Sequence, residues 1–445
     1  MTSMRDYPKV IVPPPGPRAK AIVDKDSRYT STCYLKEYPL AIATGRGAMV
    51  EDVDGNKYLD FMAGIAVSST GYNHPRVVAA VQEQAGKFLH ICGSDFYFEG
   101  MANLCERLAR LAPGDKPKKV FLTNSGTEAV EGAIKLARYY TGRKDFIAFK
   151  GAFHGRSTGA LALTSSKVRQ RAGMGPFLPG VHHVDFPYAY RCERCRPEKA
   201  CDFHGAEGIE RDLFARHVDP AEVAAVFVEP VQGEGGYIVP PEGWMREIRE
   251  LCDRHGILLV ADEVQSGVGR TGKMWAIDHM GVVPDIVLTA KGLGSGMPIG
   301  AIIATEEITT WKKGAHGSTF GGNPVCVASA LATLDLIEGG LMENARVMGD
   351  RLMAGSRKLF EKYPVIGDVR GLGLMIGLEF VKDRVTKERN PELVDRLVLG
   401  AFARGLLLLG AGPSALRFAP PLVVDEYDID TGVAIVDSVL GEVAG

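Results

Sequence analysis

The stretch "KVFLTNSGTEAVEGAIKLARYY", residues 119–140, sets an apolar β-rich run directly against a helical pattern. Ala129, Val130, Ala133, Ile134, Ala137 and Tyr140 recur at helical spacing and supply one apolar face. Ser125 and Glu128 stand three apart, the spacing of a capping box. The reading is a strand that runs straight into a helix N-terminus through Ser-Gly-Thr. Free N–H groups of a first helical turn can hold an anion such as phosphate, and Gly126 leaves room for close approach. Taken alone, the same pattern also describes an ordinary capped helix.

Working outward, apolar β-rich runs recur between helical patterns: "DFIAFKG" (145–151), "VAAVFVEPV" (223–231), "GILLVADEV" (256–264), "DIVLTAKG" (285–292) and "IGAIIAT" (299–305). Such alternation predicts an α/β fold with a mostly parallel sheet covered on both faces. "REIRELCDRHG" (246–256) shows one link, an apolar helical stripe closed by Gly256 just before a strand. "NPVCVASALATLDLIEGG" (323–340) reads as a long helix rich in small residues. Beyond about residue 340, short strands such as "GDVRGLGLMIGLEFV", "GLLLLGAG" and "LRFAPPLVV" point to a smaller α/β domain. The proline-rich first twenty residues read as an extended arm, and "GRGAMVEDVDGNKYLDFMAG" as a hairpin turning at Asp54-Gly55. The expected organisation is residues 1–75 as an arm and a segment joining the small domain, 76–335 as the large domain, and 336–445 as the small one.

Composition narrows the class. The chain has 445 residues, 46% hydrophobic and 24% charged, with a formal net charge of −2. That balance and the lack of a basic block argue against nucleic acid. No apolar run of bilayer length and no secretory h-region stand out, so the expectation is a cytoplasmic protein without a membrane partner. Eight cysteines in so long a chain are no disulfide scaffold. Cys33, Cys92, Cys105, Cys252 and Cys326 read as small packed hydrophobes.

The strand ends carry the chemistry, because ligands of open parallel sheets sit outside the carboxyl ends of the strands. Phe153 and His154 occupy a glycine-flanked loop where they can lie against a flat ring, and Arg156 is a candidate carboxylate fork. Glu229 ends one strand, and Glu234 follows in a glycine-rich loop. Asp262 and Glu263 come directly after an apolar strand, where a buried carboxylate needs a partner: a salt bridge, or the protonated nitrogen of a ring. Lys291 stands where another strand gives way to glycines. "GVGRTGKM" (267–274) imitates a phosphate-binding loop but ends in Met274 where a hydroxyl must meet Mg²⁺, and "GLGSG" (292–296) lacks dinucleotide spacing. A phosphate cradle, a ring-facing aromatic, a carboxylate for a pyridine nitrogen and a strand-end lysine are together what pyridoxal 5'-phosphate requires.

In "NSGTEAVEGAIKLAR", "FHGRSTG", "EPVQGEGGY", "LLVADEVQSGVGRTGKMWA", "LTAKGLGSGMPIGA" and "HGSTFGGNP", the chain resembles the class III (omega) aminotransferases of pyridoxal-phosphate fold type I. The resemblance covers essentially the full length and is closest in pattern to 4-aminobutyrate and ornithine-type enzymes. It implies that Lys291 is the Schiff-base lysine and that Asp262 pairs with the pyridine nitrogen. It also places Ser125, Gly126 and Thr127 at the phosphate, Phe153 on one ring face with His154 and Glu229 nearby, Val264 on the other face, and Gln265 at the ring hydroxyl. Thr319 would arrive from a neighbouring subunit, since family members are homodimers or dimers of dimers.

For the substrate, Arg417 matches the family arginine that takes an α-carboxylate. Glu234 matches the residue that covers it while an ω-amine is bound. Arg156 matches a position for the distal carboxylate, and Ile65 the aliphatic residue of 4-aminobutyrate enzymes. Phe96, Tyr97 and Phe98 can line a substrate mouth. The expected reaction moves an amino group from an ω-amino acid, 4-aminobutyrate first, to 2-oxoglutarate. Ornithine, acetylornithine, lysine, an amine with pyruvate, racemisation, and a lyase or mutase on the same fold stay open.

One motif lies outside this scheme. "YRCERCRPEKACDFHG" spaces Cys192, Cys195, Cys201 and His204 so that three thiolates and an imidazole can close a tetrahedral zinc site. The gap between the second and third ligands is short for a zinc knuckle. A reduced surface loop or a redox-labile cysteine pair is the alternative, and no catalytic metal is expected.

Overall fold

The computed structural model describes residues 6–195 and 204–443. Its central sheet has seven strands, in the spatial order Lys118–Thr123, Gly300–Thr305, Ile286–Thr289, Leu258–Asp262, Val223–Val228, Asp145–Phe149 and Val181–Val184. Gly300–Thr305 alone runs against the others. The reversal has a local cause: the segment from Ala290 to Ile299 holds one short turn and is too short for a parallel crossover. Residues Val223–Val228, Leu258–Asp262 and Gly300–Thr305 are buried throughout, which explains their continuous apolar runs.

Alternate residues feed two cores. Phe146, Ala148, Phe227, Val260 and Leu288 pack under the helix Gly126–Thr141 with its buried Ala129, Val130, Ala133 and Ala137. Ile147, Phe149, Val226, Leu259 and Val287 join Trp244, Ile248 and Leu251 of the helix Trp244–His255 on the other face. That helix stops at Gly256, which takes φ 61° and caps it in the left-handed conformation. Tyr140, expected on the apolar face of its helix, is instead 37% exposed near the last turn.

Two four-stranded sheets flank this centre. One pairs Ile42–Arg46, Met49–Asp52 and Lys57–Asp60 with Leu406–Leu407, so the first and last parts of the chain share a sheet. The other is antiparallel, formed by Ile366–Leu372, Met375–Phe380, Ala415–Phe418 and Leu409–Ala411. Arg270, from the imitation phosphate loop, is fully buried and donates to the carbonyls of Leu374 and Pro420, tying the centre to the C-terminal part.

Three expectations need correction. The arm is not wholly extended: Pro17–Tyr29 is a helix. Its cap comes from far along the chain, since Asp54 accepts from the amides of Arg18 at 2.9 Å and Ala19 at 2.8 Å, satisfying donors no neighbour reaches. A Cβ on Gly16 would meet Asp54 Cγ at 2.5 Å, so the approach requires glycine there. Cys33 is exposed, and Cys92 and Cys105 are only half-buried. Finally, the helical path Pro324–Lys362 is long and apolar enough, by length and composition, to cross a bilayer. Core burial accounts for that character, because Cys326, Val327, Ala330, Leu334 and Ile337 all pack in the main core.

Replacing Asp54 with Ala should cost the helix Pro17–Tyr29 about 1 kcal/mol. Amide exchange at Arg18 and Ala19 should then speed up while exchange in the central sheet stays unchanged. Equal rates in variant and parent would show that the distant cap contributes nothing.

Candidate active site

The carboxyl ends of the parallel strands open into a cavity of about 380 Å³. Lys291 enters it two residues past the strand Ile286–Thr289, with φ 42°, a left-handed conformation that lysine rarely adopts. The loop beyond is held from outside, where Ser295 Oγ accepts from the amide of Thr70 at 2.9 Å. Lys291 keeps its remaining accessibility toward the cavity, and burial holds its ammonium below the usual lysine range. Glu234 and Asp262 oppose that shift, whereas Arg417 adds to it. A larger share of neutral amine is the result, as a base or nucleophile requires.

Asp262 ends the neighbouring strand and is 4% exposed. Its Oδ2 lies 2.7 Å from Nδ1 of His154, and its Oδ1 accepts from the amide of Val264 at 3.0 Å. Burial alone would lower the His154 pKa, but the hydrogen bond and charge of Asp262, with Glu229 behind, carry it above the ordinary value. Glu229 serves the walls: Oε2 accepts from the amide of Phe153 at 3.1 Å and Oε1 from that of Gly233 at 3.0 Å. Burial pushes Glu229 up to about 7. Glu263 points away from the cavity and accepts from Ser266 Oγ and the amide of Ile277.

The helix Gly126–Thr141 aims its N-terminus at the same space. Ser125 Oγ caps the amide of Glu128 at 3.3 Å, while Glu128 reaches back to Asn124, one residue earlier than a capping box requires. The amides of Gly126 and Thr127 belong to the first turn, where helix geometry offers them no carbonyl. A Cβ on Gly126 would meet Val264 at 2.7 Å, so only glycine lets Val264 close over this turn. Thr127 Oγ1 lies 2.6 Å from Ser157 Oγ, which donates in turn to Glu131 at 2.6 Å.

A second charged group sits close enough to bias Lys291. Arg417, on the strand Ala415–Phe418, is 6% exposed and donates to Glu234 Oε1 at 2.5 Å. Burial would raise the Glu234 pKa, but Arg417 and then Lys167, 3.5 Å away, hold it below the usual range. Tyr237 is buried beside Arg417 and donates to Gln265 Oε1 at 2.9 Å, linking this pair to the cavity wall.

Ser125, Gly126, Thr127, Phe153, His154, Glu229, Asp262, Val264, Gln265 and Lys291 thus converge on one cavity, with Arg156 at its exposed edge. Arg156 stands 5.9 Å from the Phe153 ring centre. Thr319 is exposed and outside the lining of this chain's cavity. Ile65 also lies outside the lining, two residues before the wall residue Val67. It belongs to a left-handed turn in which Ala63, Gly64, Ile65 and Ala66 all have φ between 47° and 67°, costly for a β-branched residue. Sequence reasoning missed Asn124, Lys167 as the second cation on Glu234, Tyr237, and the wall Met297–Ile299. Asn124, Tyr237 and Met297–Ile299 each stand within a motif already quoted, whereas Lys167 carried no local signal.

These residues fit pyridoxal phosphate. His154 Nε2 is buried with no hydrogen-bond partner, which a bound molecule or water must satisfy. One cavity also joins an amine, a carboxylate and the donor-rich start of a helix.

A family model described as "Aminotransferase class-III" matches residues 33–440. 5-Aminovalerate aminotransferase DavT of Pseudomonas aeruginosa is 41% identical over 417 residues, 92% of this chain and 95% of that protein. Alanine/serine racemase of Pyrococcus horikoshii is 37% identical over 98% of this chain and 93% of its own length. 4-Aminobutyrate aminotransferase of Mycobacterium tuberculosis is 38% identical over 99% of this chain and all of that protein. Among solved structures, a Bacillus anthracis aminotransferase superposes with a TM-score of 0.89 at 29% identity, covering 96% of this chain and 99% of that one. An amine transaminase from an uncultivated Pseudomonas species, solved with PLP bound as the internal aldimine, gives 0.86 at 31% identity over 93% and 98%.

The raised pKa of Glu229 has a stability consequence whose sign is fixed. A folded value of about 7, above the ordinary carboxyl value of 4.5, stabilises below pH 4.5, and that stabilisation is lost as pH rises to about 7. Thermal unfolding of Glu229→Gln should lose part of the decline that the parent shows across that window. Parallel profiles would show that this carboxyl does not titrate there.

Proposed function

The chain belongs to the class III aminotransferase family and is a pyridoxal-phosphate-dependent enzyme; on that premise we propose that it moves the amino group of an ω-amino acid to 2-oxoglutarate. 4-Aminobutyrate is the preferred donor and its one-carbon-longer homologue the next. The observation that carries the reading is the closed Glu234–Arg417 pair beside Lys291. One pocket must take both a dicarboxylate and an ω-amine, and an unpaired buried guanidinium is costly. Glu234 neutralises Arg417 while no α-carboxylate is present, and Lys167 offers the displaced carboxylate a second cation.

When bound, the cofactor supplies a protonated pyridine ring that takes up the electron pair left on the substrate carbon. Asp262 would hold the charge opposite that ring nitrogen, and His154 fixes the orientation of Asp262. The amides of Gly126 and Thr127 would receive the phosphate. Phe153 and Val264 would confine the ring, and Gln265 would meet its hydroxyl. Lys291 Nζ, kept partly neutral by burial, is the base that takes the proton from the amine-bearing carbon of the substrate. Arg156, exposed at the mouth, receives the distal carboxylate of the donor.

We read the active form as a homodimer or a dimer of dimers with shared sites. Leu89, Phe96, Tyr97 and Phe320 are exposed apolar residues, and Thr319 adjoins the last of them. His90 and Phe320 have ring centres 5.1 Å apart, and Asn323 donates to the carbonyl of Leu89, so the two loops form one surface. A second copy covering that surface would bring Thr319 to its neighbour's phosphate.

Amino transfer from 4-aminobutyrate, 5-aminovalerate, ornithine and simple amines to 2-oxoglutarate or pyruvate tests the substrate reading. Rapid transfer from ornithine, or racemisation of alanine, with neither ω-amino acid used would overturn it. Lys291→Ala should lower turnover by on the order of 10³-fold or more while still retaining cofactor by absorbance; full activity in that variant would refute the assignment. Arg417→Ala should lower kcat/KM for 2-oxoglutarate by roughly 10²-fold, equivalent to about 3 kcal/mol, and change the 4-aminobutyrate half-reaction far less. Equal losses in both half-reactions would remove Arg417 from α-carboxylate recognition.

A further inference from the structure

We propose that Cys192, Cys195 and His204 form a structural zinc site, separate from the catalytic cavity. The ligand atoms of these three residues all lie within 4.8 Å of one another. Nδ1 of His204 is 3.6 Å from Cys192 Sγ and 3.5 Å from Cys195 Sγ. A tetrahedral zinc with Zn–S of about 2.3 Å and Zn–N of about 2.0–2.1 Å requires S···N separations of about 3.5 Å. The side chains therefore stand at the spacing that a shared ion imposes.

Two further contacts indicate a built site. The amide of Cys195 donates to Cys192 Sγ at 3.3 Å, a bond that favours the thiolate form a metal needs. The carbonyl of His204 accepts from Trp244 Nε1 at 2.7 Å, and Trp244 is wholly buried in the main core. The main chain of His204 is thus anchored to a rigid element, and the two cysteines stand three residues apart. Thiolate and imidazole together select zinc over hard cations. Cys201, which the sequence offers as a fourth ligand, lies outside the described residues, and the proposal stands on the three.

The site's position gives it a purpose. Arg191, adjacent to Cys192, pairs with Glu379 at 2.5 Å, and Tyr188 donates to the same carboxylate at 3.0 Å. Arg370 reaches Glu379 at 3.0 Å and also donates to the carbonyl of Gly236, two residues past Glu234. A metal held by Cys192, Cys195 and His204 would fix the neighbouring Tyr188 and Arg191, which grip Glu379 of the strand Met375–Phe380. This role is one of docking, not catalysis, and it does not rest on the substrate reading.

The test uses the full-length, cofactor-loaded protein. Elemental analysis after dialysis against zinc-free buffer should find about one zinc per chain, released by a thiol-mercurating reagent. Exchange with cobalt(II) should give a thiolate-to-cobalt charge-transfer band, weakened in Cys192→Ser and Cys195→Ser and lost in the double variant. Retained cofactor absorbance in those variants would show that they have folded. Should a variant fail to fold, zinc content and the cobalt spectrum of the parent still decide. Less than about a tenth of a zinc per chain with no thiolate–cobalt band would overturn the proposal, as would a Cys192–Cys195 disulfide in the purified protein.

Discussion

A set of charges held where water is scarce governs this structure. Lys291, Asp262, His154, Glu229 and Glu234 follow or end strands of the central sheet, and Arg417, from the strand Ala415–Phe418, meets Glu234 from the C-terminal sheet. Each ion so placed must find an opposite charge or a donor, because burying it alone costs several kcal/mol. Asp262 has His154, Arg417 has Glu234, and Glu229 has two backbone amides. Among the described residues Lys291 has no hydrogen-bonded partner: burial lowers its pKa, and its amine is left available for chemistry.

The parallel sheet makes this concentration possible. Parallel strands deliver their ends to one edge, and each following loop places a polar residue there without breaking a ladder. The single reversed strand, Gly300–Thr305, extends the effect, since its short approach loop carries Lys291 and then folds Met297–Ile299 back as a wall. Left-handed conformations at Lys291 and Ser295, and through Ala63–Ala66, mark where the backbone bends around this space. They persist because surrounding packing over-determines them, as the Thr70–Ser295 contact illustrates.

The C-terminal part enters the chemistry through one arginine. Arg417 lies on the same antiparallel sheet as Glu379, and Arg370 ties that sheet to the loop of Glu234. Movement of the C-terminal sheet relative to the centre would therefore be felt at the Glu234–Arg417 pair.

The sequence by itself determined the α/β alternation, the capped helix at Ser125 and the polar residues that line the cavity, because each depends on neighbours a few positions away. Continuous apolar runs, a serine at a helix start and a lysine after an apolar run are local signals with local physical causes. Lys167 on Glu234, Tyr237 on Gln265 and Asp54 on the helix Pro17–Tyr29 left no such trace. Those contacts join residues 28 to 67 positions apart, and only the folded chain brings them together. The direction of Gly300–Thr305 was likewise a tertiary decision, since an apolar run reads the same whichever way it is traversed. Local chemistry named the groups, and the packing of distant elements decided which charge meets which.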